Sequence, residues 1–276
     1  MTAAAPMIAG VWAHYDDDLL FGTPTIDRAI RSGHRVRNLF LTASDAGTGM
    51  SPYVAGRERG IRAAYDVMRG STTAWSDRET VLANGVAVSV TSPDDDPRIA
   101  LAFLRLPDGG LTGGGWFANG YRTMPRLRAG KIPSLTTLDT GQEFTVERLV
   151  ATIAAFITGS GATSVLTNMP DSAPGGDGDH PDHGATGGLV AAAVDAGLID
   201  GATVRYAVGY PRHAWPANLD AEAVARKLAV FAAYGEHDEI LRRDPDDYLA
   251  LAGLGEWLRR EHLIDESDVG RGGDRR

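Results

Sequence analysis

The chain has 276 residues, 43% of them hydrophobic, and 36 acidic against 27 basic residues give it a net charge of −9. That length buries a sizeable core, and an acidic surplus with no basic stripe interleaved with aromatics excludes nucleic acid as the expected partner. There is no cysteine, so disulfides and thiolate metal sites are excluded, and any metal must be held by His, Asp or Glu.

The N-terminus, MTAAAPMIAG, lacks a charged n-region and a cleavage pattern. No apolar run approaches the ~20 residues of a membrane helix, so a soluble, cytoplasmic chain is expected. MIAGVWA (7–13) has strand length, and in the segment 18–33 Leu19, Leu20, Ile26 and Ile30 share one helical face. HRVRNLFLTAS (34–44) is the next strand, and GRERGIRAAYDVMRG (56–70) reads as a helix stopped by glycine. VLANGVAVSVTS carries Asn-Gly between β-rich runs, and RIALAFLRL (98–106) follows as a strand. The alternation resumes with a helix over 145–159, a strand over 162–169, a helix over 183–197 and a strand over 202–210. Such a pattern predicts an α/β fold with a mostly parallel sheet and helices on both faces. Two long glycine-rich loops, 107–130 and 169–183, suit function better than slack, so one domain is expected over 1–264. The polar tail 265–276 is expected to be disordered.

Ligands of open α/β sheets bind beyond the carboxyl ends of the strands. AHYDDD (13–18) sits at such a junction, with His14 and Asp17 three apart and Asp16 beside them. DHPDHG (179–184) repeats the situation with His180, Asp182 and His183. Taken singly, each is an ordinary turn or a helix cap, with an aspartate favouring the positive end of the helix. Together they place histidines and carboxylates at equivalent junctions of one sheet, a chemically sound set for zinc.

AHYDDDLL together with HPDH resembles the LmbE-like, or PIG-L, de-N-acetylase superfamily, and LTASDAG, RERGIRAAYDVM and FLRLPDGG extend the likeness over about residues 7–240. The resemblance implies a Rossmann-like fold and one divalent metal, usually zinc, used to hydrolyse an amide, most often the N-acetyl group of a glucosamine unit. By resemblance, His14, Asp17 and His183 bind the metal and Asp16 is the general base. His180 stabilises the oxyanion, and Asp182 orients a histidine. Two positions depart from the family motif: Tyr15 stands for its proline and Asp18 for its glutamate. Tyr15 is expected to pack inward and Asp18 to hold the loop or cap the helix.

Asp45, Arg57 and Glu58 follow the second strand and are candidates for substrate contact, with a turn aspartate and an exposed ion pair as the equal alternative. GGGWFANGYRTM offers Trp116, Phe117, Tyr121 and Arg122 as a lid over a sugar, or else as a local core. His237 and Asp238 are expected to do no more than end a helix. The function expected is a metal-dependent N-deacetylase acting on a small molecule with an N-acyl group, an amino sugar or a natural product of secondary metabolism that carries one. The alternatives are an amidase of another N-acyl or thiol-conjugate substrate and a non-catalytic binding protein. A nucleotide-binding oxidoreductase or transferase is disfavoured, since neither a glycine fingerprint nor a P-loop follows the first strand. Homo-oligomerisation is left open.

Overall fold

A computed structural model describes residues 5–173, 178–211 and 215–270. β1 (Met7–Trp12) is buried throughout, with Ala9 and Val11 on one face of the sheet and Ile8 and Trp12 on the other. A strand apolar on both faces belongs at the centre of a parallel sheet. The segment 18–33, expected as one helix, is two: α1 (Asp17–Phe21) and α2 (Thr25–Arg31). Pro24 explains the break, because it lacks an amide donor and disfavours helical geometry at the residue before it.

β2 (Arg35–Thr42) and α3 (Pro52–Arg69) follow, then the hairpin β3 (Trp75–Val81) and β4 (Ala87–Pro93) turning at Asn84 and Gly85, then β5 (Ile99–Leu106). Beyond the glycine-rich loop come α4 (Met124–Arg128) and a short ribbon of β6 (Leu135–Thr136) with β7 (Glu143–Phe144). The chain continues as α5 (Val146–Ser160), β8 (Ser164–Asn168), α6 (Pro181–Asp195) and β9 (Val204–Ala207). It ends with α7 (Ala221–Gly235), α8 (Pro245–Tyr248), α9 (Leu254–Trp257) and β10 (Leu263–Asp265).

The main sheet has the order β10-β9-β8-β1-β2-β5-β4-β3. β9, β8, β1, β2 and β5 are parallel, and β10, β4 and β3 are antiparallel extensions. One core packs Leu149, Ile153, Leu189 and Val190 of α5 and α6 against Ala9, Val11, Leu39 and Leu41. A second, on the opposite face, packs Leu19, Ile26, Ile61, Tyr65 and Phe231 against Ile8, Val36 and Phe40. The fold is therefore α/β with helices on both faces of a mostly parallel sheet, as the alternation predicts.

The expected disordered tail needs correction. β10 reaches Asp265, and Val269 is buried in the first core, so residues 265–270 are folded onto the sheet edge; 271–276 lie outside the described residues. No described helix is long and apolar enough to cross a membrane. Because β1 lies between β2 and β8, the chain moves across the sheet in one direction from β1 and returns on its other side. The crevice at the carboxyl ends of β1 and β8 is a topological switch point, where ligands of such sheets bind.

Candidate metal centre and its cleft

His14 lies just beyond β1, and Asp17 opens α1. The amides of Ala13 and His14 donate to Asp17 Oδ2 at 3.0 and 2.9 Å, which folds the carboxylate back onto the strand end. Asn168, the last residue of β8, donates to the same oxygen at 3.1 Å and accepts from the Ala13 amide at 3.0 Å. Asp17 Oδ1 is thereby aimed at His14 Nδ1 (3.5 Å) and His183 Nε2 (3.0 Å), and those two nitrogens are 3.3 Å apart.

The second motif starts α6 two residues earlier than expected. His180, not Asp182, is the N-cap: its Nδ1 accepts the Asp182 amide at 3.2 Å, and Pro181 takes the first helical position, where no amide is needed. His183 then points from the first turn into the crevice. The outer nitrogen of each ligand histidine has a carboxylate, Asp182 Oδ2 at 3.3 Å from His14 Nε2 and Asp179 Oδ1 at 2.8 Å from His183 Nδ1. Such partners fix which nitrogen faces inward.

Three donor atoms at 3.0, 3.3 and 3.5 Å from one another match the edges of a tetrahedron around an ion held at about 2.0–2.1 Å, whose neighbouring ligands lie about 3.3 Å apart. The residues present fit a divalent metal. Two looser groupings share His14: with His180 and His183, and with Asp108, His180 and Asp182, each with ligand atoms within 4.8 Å of one another; the second gathers Asp108 and Asp182 at the outer nitrogen of His14. Burial opposes a charge on His183, but Asp17 and Asp179 outweigh it and push its pKa up to about 10. Burial likewise opposes a charge on His14, where Asp17 and Asp182 prevail and raise it well above the usual range. Asp17, despite burial, is held well below the usual carboxylate range by His183 and His14. Facing nitrogens 3.3 Å apart leave no room for a proton on each.

Asp16 takes no part in this triangle. Its Oδ1 accepts from Arg57 Nη2 at 2.9 Å, and it lines a cleft of about 630 Å³ together with Arg57, Tyr53, Asp108, Trp116, His180, Tyr210 and Asp238. Burial raises its pKa and Arg57 draws it back, with a net rise. Burial, with His14 and His183 beside it, pushes His180 far below the usual imidazole range.

The candidates for substrate contact divide. Arg57 and Trp116 line the cleft. Asp45 does not: it is buried, and its carboxylate accepts the amides of Asp108 (2.9 Å) and Gly49 (3.0 Å), so it holds the loop that carries Asp108. Glu58 is engaged by Arg105 at 2.8 and 3.1 Å and by the Tyr15 hydroxyl at 3.2 Å, an inward pair rather than a substrate contact. Phe117 and Tyr121 are exposed and edge onto each other, outside the cleft lining, and Arg122 turns away to Ser134. A buried local core is thus not what this loop forms. Tyr15 packs against Phe40 and Phe103, as expected.

Asp238 corrects the expectation for the end of α7. Its Oδ1 does cap the turn, accepting from Ile240 (2.9 Å) and Leu241 (3.2 Å), but its Oδ2 lies 3.2 Å from Arg57 Nε within the cleft. Sequence reasoning also missed Tyr53, Asp108, Asn168, Asp179 and Tyr210. Asp108, Asn168 and Tyr210 end or closely follow strands, and Asp179 stands four residues before His183; the strand-end rule that singled out His14 extends to the first three.

A protein-family model described as PIG-L: GlcNAc-PI de-N-acetylase matches residues 10–194. No curated protein matches the chain. Similar solved structures include a deacetylase triple mutant of the teicoplanin biosynthetic pathway (15% identity, 85% of this chain and 83% of that one, TM-score 0.50). Others are a conserved protein from Thermus thermophilus (19%, 82% and 77%, TM-score 0.46) and the N,N'-diacetylchitobiose deacetylase from Pyrococcus horikoshii (15%, 83% and 70%, TM-score 0.47). At such identities the likeness concerns the fold, and the first of them shares the α/β architecture described above.

Proposed function

Because the chain belongs to the PIG-L family of GlcNAc-PI de-N-acetylases, we propose that it is a metal-dependent amide hydrolase. Its substrate is an N-acetylated amino sugar, alone or within a larger small molecule. The observation that carries this reading is the triangle of His14 Nδ1, Asp17 Oδ1 and His183 Nε2, beside Asp16, which lines the cleft. Those three atoms would hold one divalent ion, and their nitrogen and oxygen donors suit zinc. Such an ion, when bound, polarises a carbonyl and acidifies water.

The rest falls to side chains. Asp16, with a pKa raised by burial and restrained by Arg57, takes the proton of the attacking water and passes it to the leaving amine. The Nδ1 of His180 accepts the Asp182 amide, so its proton sits on Nε2; the ring lines the cleft as a neutral donor to the developing oxyanion. Asp182 and Asp179 orient the two ligand histidines.

Protein purified without chelator is expected to contain about one divalent ion per chain and to release primary amine from N-acetyl sugars. Two results overturn the reading: full metal content in both His14→Ala and His183→Ala, or no metal-dependent amine release from N-acetyl sugars, other N-acyl amines and thiol conjugates.

A further inference from the structure

Between α5 and one face of β2, β5, β4 and β3 lies a cavity of about 200 Å³ that shares no lining residue with the cleft. Small side chains make the space: Ala100 and Ala102 line it from β5, and Ala155 and Gly159, one turn apart, line it from α5. Its two ends differ. Arg37 pairs with Ala100, and Arg78 stands opposite Val90, the partner of Ala102, so both arginines sit toward the start of β5. Val81, Leu82 and Val88 lie toward the turn of the hairpin of β3 and β4, and Phe156 of α5 adds a ring to that apolar lining.

The charged end is uncompensated. No carboxylate lines the cavity, although the chain has 36 acidic residues. Asp77 and Glu79, on either side of Arg78, project from the opposite face of the sheet by alternation, and Asp77 is held by Arg62 at 2.9 Å. Among the described residues the Arg37 side chain makes no hydrogen bond or ion pair, and Arg78 reaches only the Ser92 hydroxyl, at 3.1 Å. Arg37 is half-buried, and burial together with the like charges of Arg35 and Arg78 pushes its pKa down. Cations gathered in this way repel one another, and an anion between them offsets that cost. A bare phosphate would leave the apolar end empty, and the volume is too small for a folded segment of a partner. A cavity of about 150 Å³ takes benzene, so there is room here for one ring and a short acid arm. Arg37 pairs with Ala9, five residues before His14, which puts the arginines roughly 15 Å from the candidate metal centre along the strand. We propose that this cavity is a binding site, separate from the cleft, for a small aryl or alkyl carboxylate. Its anion lies between Arg37 and Arg78, and its apolar body lies against Phe156, Leu82 and Val88. The site goes beyond the amide-hydrolase reading and stands without it.

The test titrates the metal-loaded protein calorimetrically with 3-phenylpropanoate, with its amide, which lacks the charge, and with propanoate, which lacks the ring. 3-Phenylpropanoate is expected to bind about tenfold or more tightly than either, on the order of what a charge-assisted contact and a buried ring each supply. In Arg37→Gln/Arg78→Gln its advantage over the amide should shrink to near unity. Ala155→Phe keeps both arginines and fills the space, so it tests the site independently of how the arginine variant folds; affinity should fall about tenfold or more while metal content is unchanged. Metal-stripped protein should bind 3-phenylpropanoate equally well, whereas binding that vanishes with the metal places the carboxylate on the ion and overturns the site. Equal affinities for the three compounds, or undiminished binding in both variants, overturn it too. A dimer that Ala155→Phe dissociates, in protein with no preference for 3-phenylpropanoate, makes the occupant a second copy and likewise overturns it.

Discussion

Asp16, Asp17 and Asp18 are adjacent in the chain and have three electrostatic fates. Asp17 faces two imidazoles and is held well below the usual carboxylate range; Asp16 faces Arg57 and the cleft and is raised. Asp18 is fully buried on the far side of α1, accepts from Asn38 and from Tyr65 at 2.7 Å each, and is pushed up by burial to about 8. The expected helix cap is thus absent, and the expected structural role is a buried polar knot that ties α1 to β2 and α3. Asp16→Asn is expected to keep metal and fold while lowering turnover by about 100-fold or more; near-normal turnover would remove Asp16 from the chemistry. Asp179→Asn and Asp182→Asn should act through the histidines they orient and weaken metal binding by about 10–100-fold. Metal titration checks this, and unchanged affinity in both would show that the histidines hold their own orientation. His14, Asp16, Asp17, His180, Asp182 and His183 stood out because two His-plus-carboxylate motifs lie at equivalent strand ends, and the family resemblance alone singled out His14, Asp17 and His183 among them. Asp108 and Asp179 did not, because a lone aspartate in a glycine-rich loop has the signature of a turn former.

At the scale of elements, Arg57 depends on how closely α3 approaches α7. Gly56 and Gly60 face α7 and its end: a Cβ at Gly60 would lie 2.7 Å from the Tyr234 carbonyl oxygen, and one at Gly56 would lie 2.6 Å from that of His237. This approach lets Arg57 Nε reach the Tyr234 hydroxyl at 2.5 Å and Asp238 at 3.2 Å. In an isolated helix Gly→Ala is favourable by about 1 kcal/mol. Here the sign should reverse, since backbone cannot yield as a side chain does, and Gly60→Ala is expected to cost about 1–3 kcal/mol and to lower turnover by displacing Arg57. A Tm equal to or above that of the unaltered protein would show that the helices separate without strain. The periodicity of apolar residues located α3, α5 and α6, but it carries no information on which helices touch, so the Arg57–Asp238 pair lay beyond it. The ribbon β6–β7, two residues per strand, is too short to leave an alternation, and the break between α1 and α2 turned on one proline that the shared helical face obscured.

For the molecule as a whole, the candidate centre joins segments far apart in sequence. His14 and Asp17 belong to the first strand-to-helix junction and His183 to the start of α6, and Asn168 of β8 is bonded to Ala13 and Asp17 of that junction. An ion bound at all three ligands ties the two sides of the switch point together, and binding only the folded state stabilises it by mass action. At free metal about 1,000 times Kd the gain is about 4 kcal/mol, equivalent to roughly 8 °C in Tm for a chain of this size. Stripping the protein with a chelator should therefore lower Tm by several degrees, and restoring zinc should recover it. Coincident melting curves for stripped and metal-loaded protein, with loading verified by elemental analysis, would show that the ion does not bridge these segments. His183→Ala provides the complementary arm: its Tm should be insensitive to zinc and chelator alike, because the α6 side of the tie is gone. A full zinc-dependent shift in that variant would move the site to other residues, and the looser grouping of His14, Asp108, His180 and Asp182 would then be the place to look.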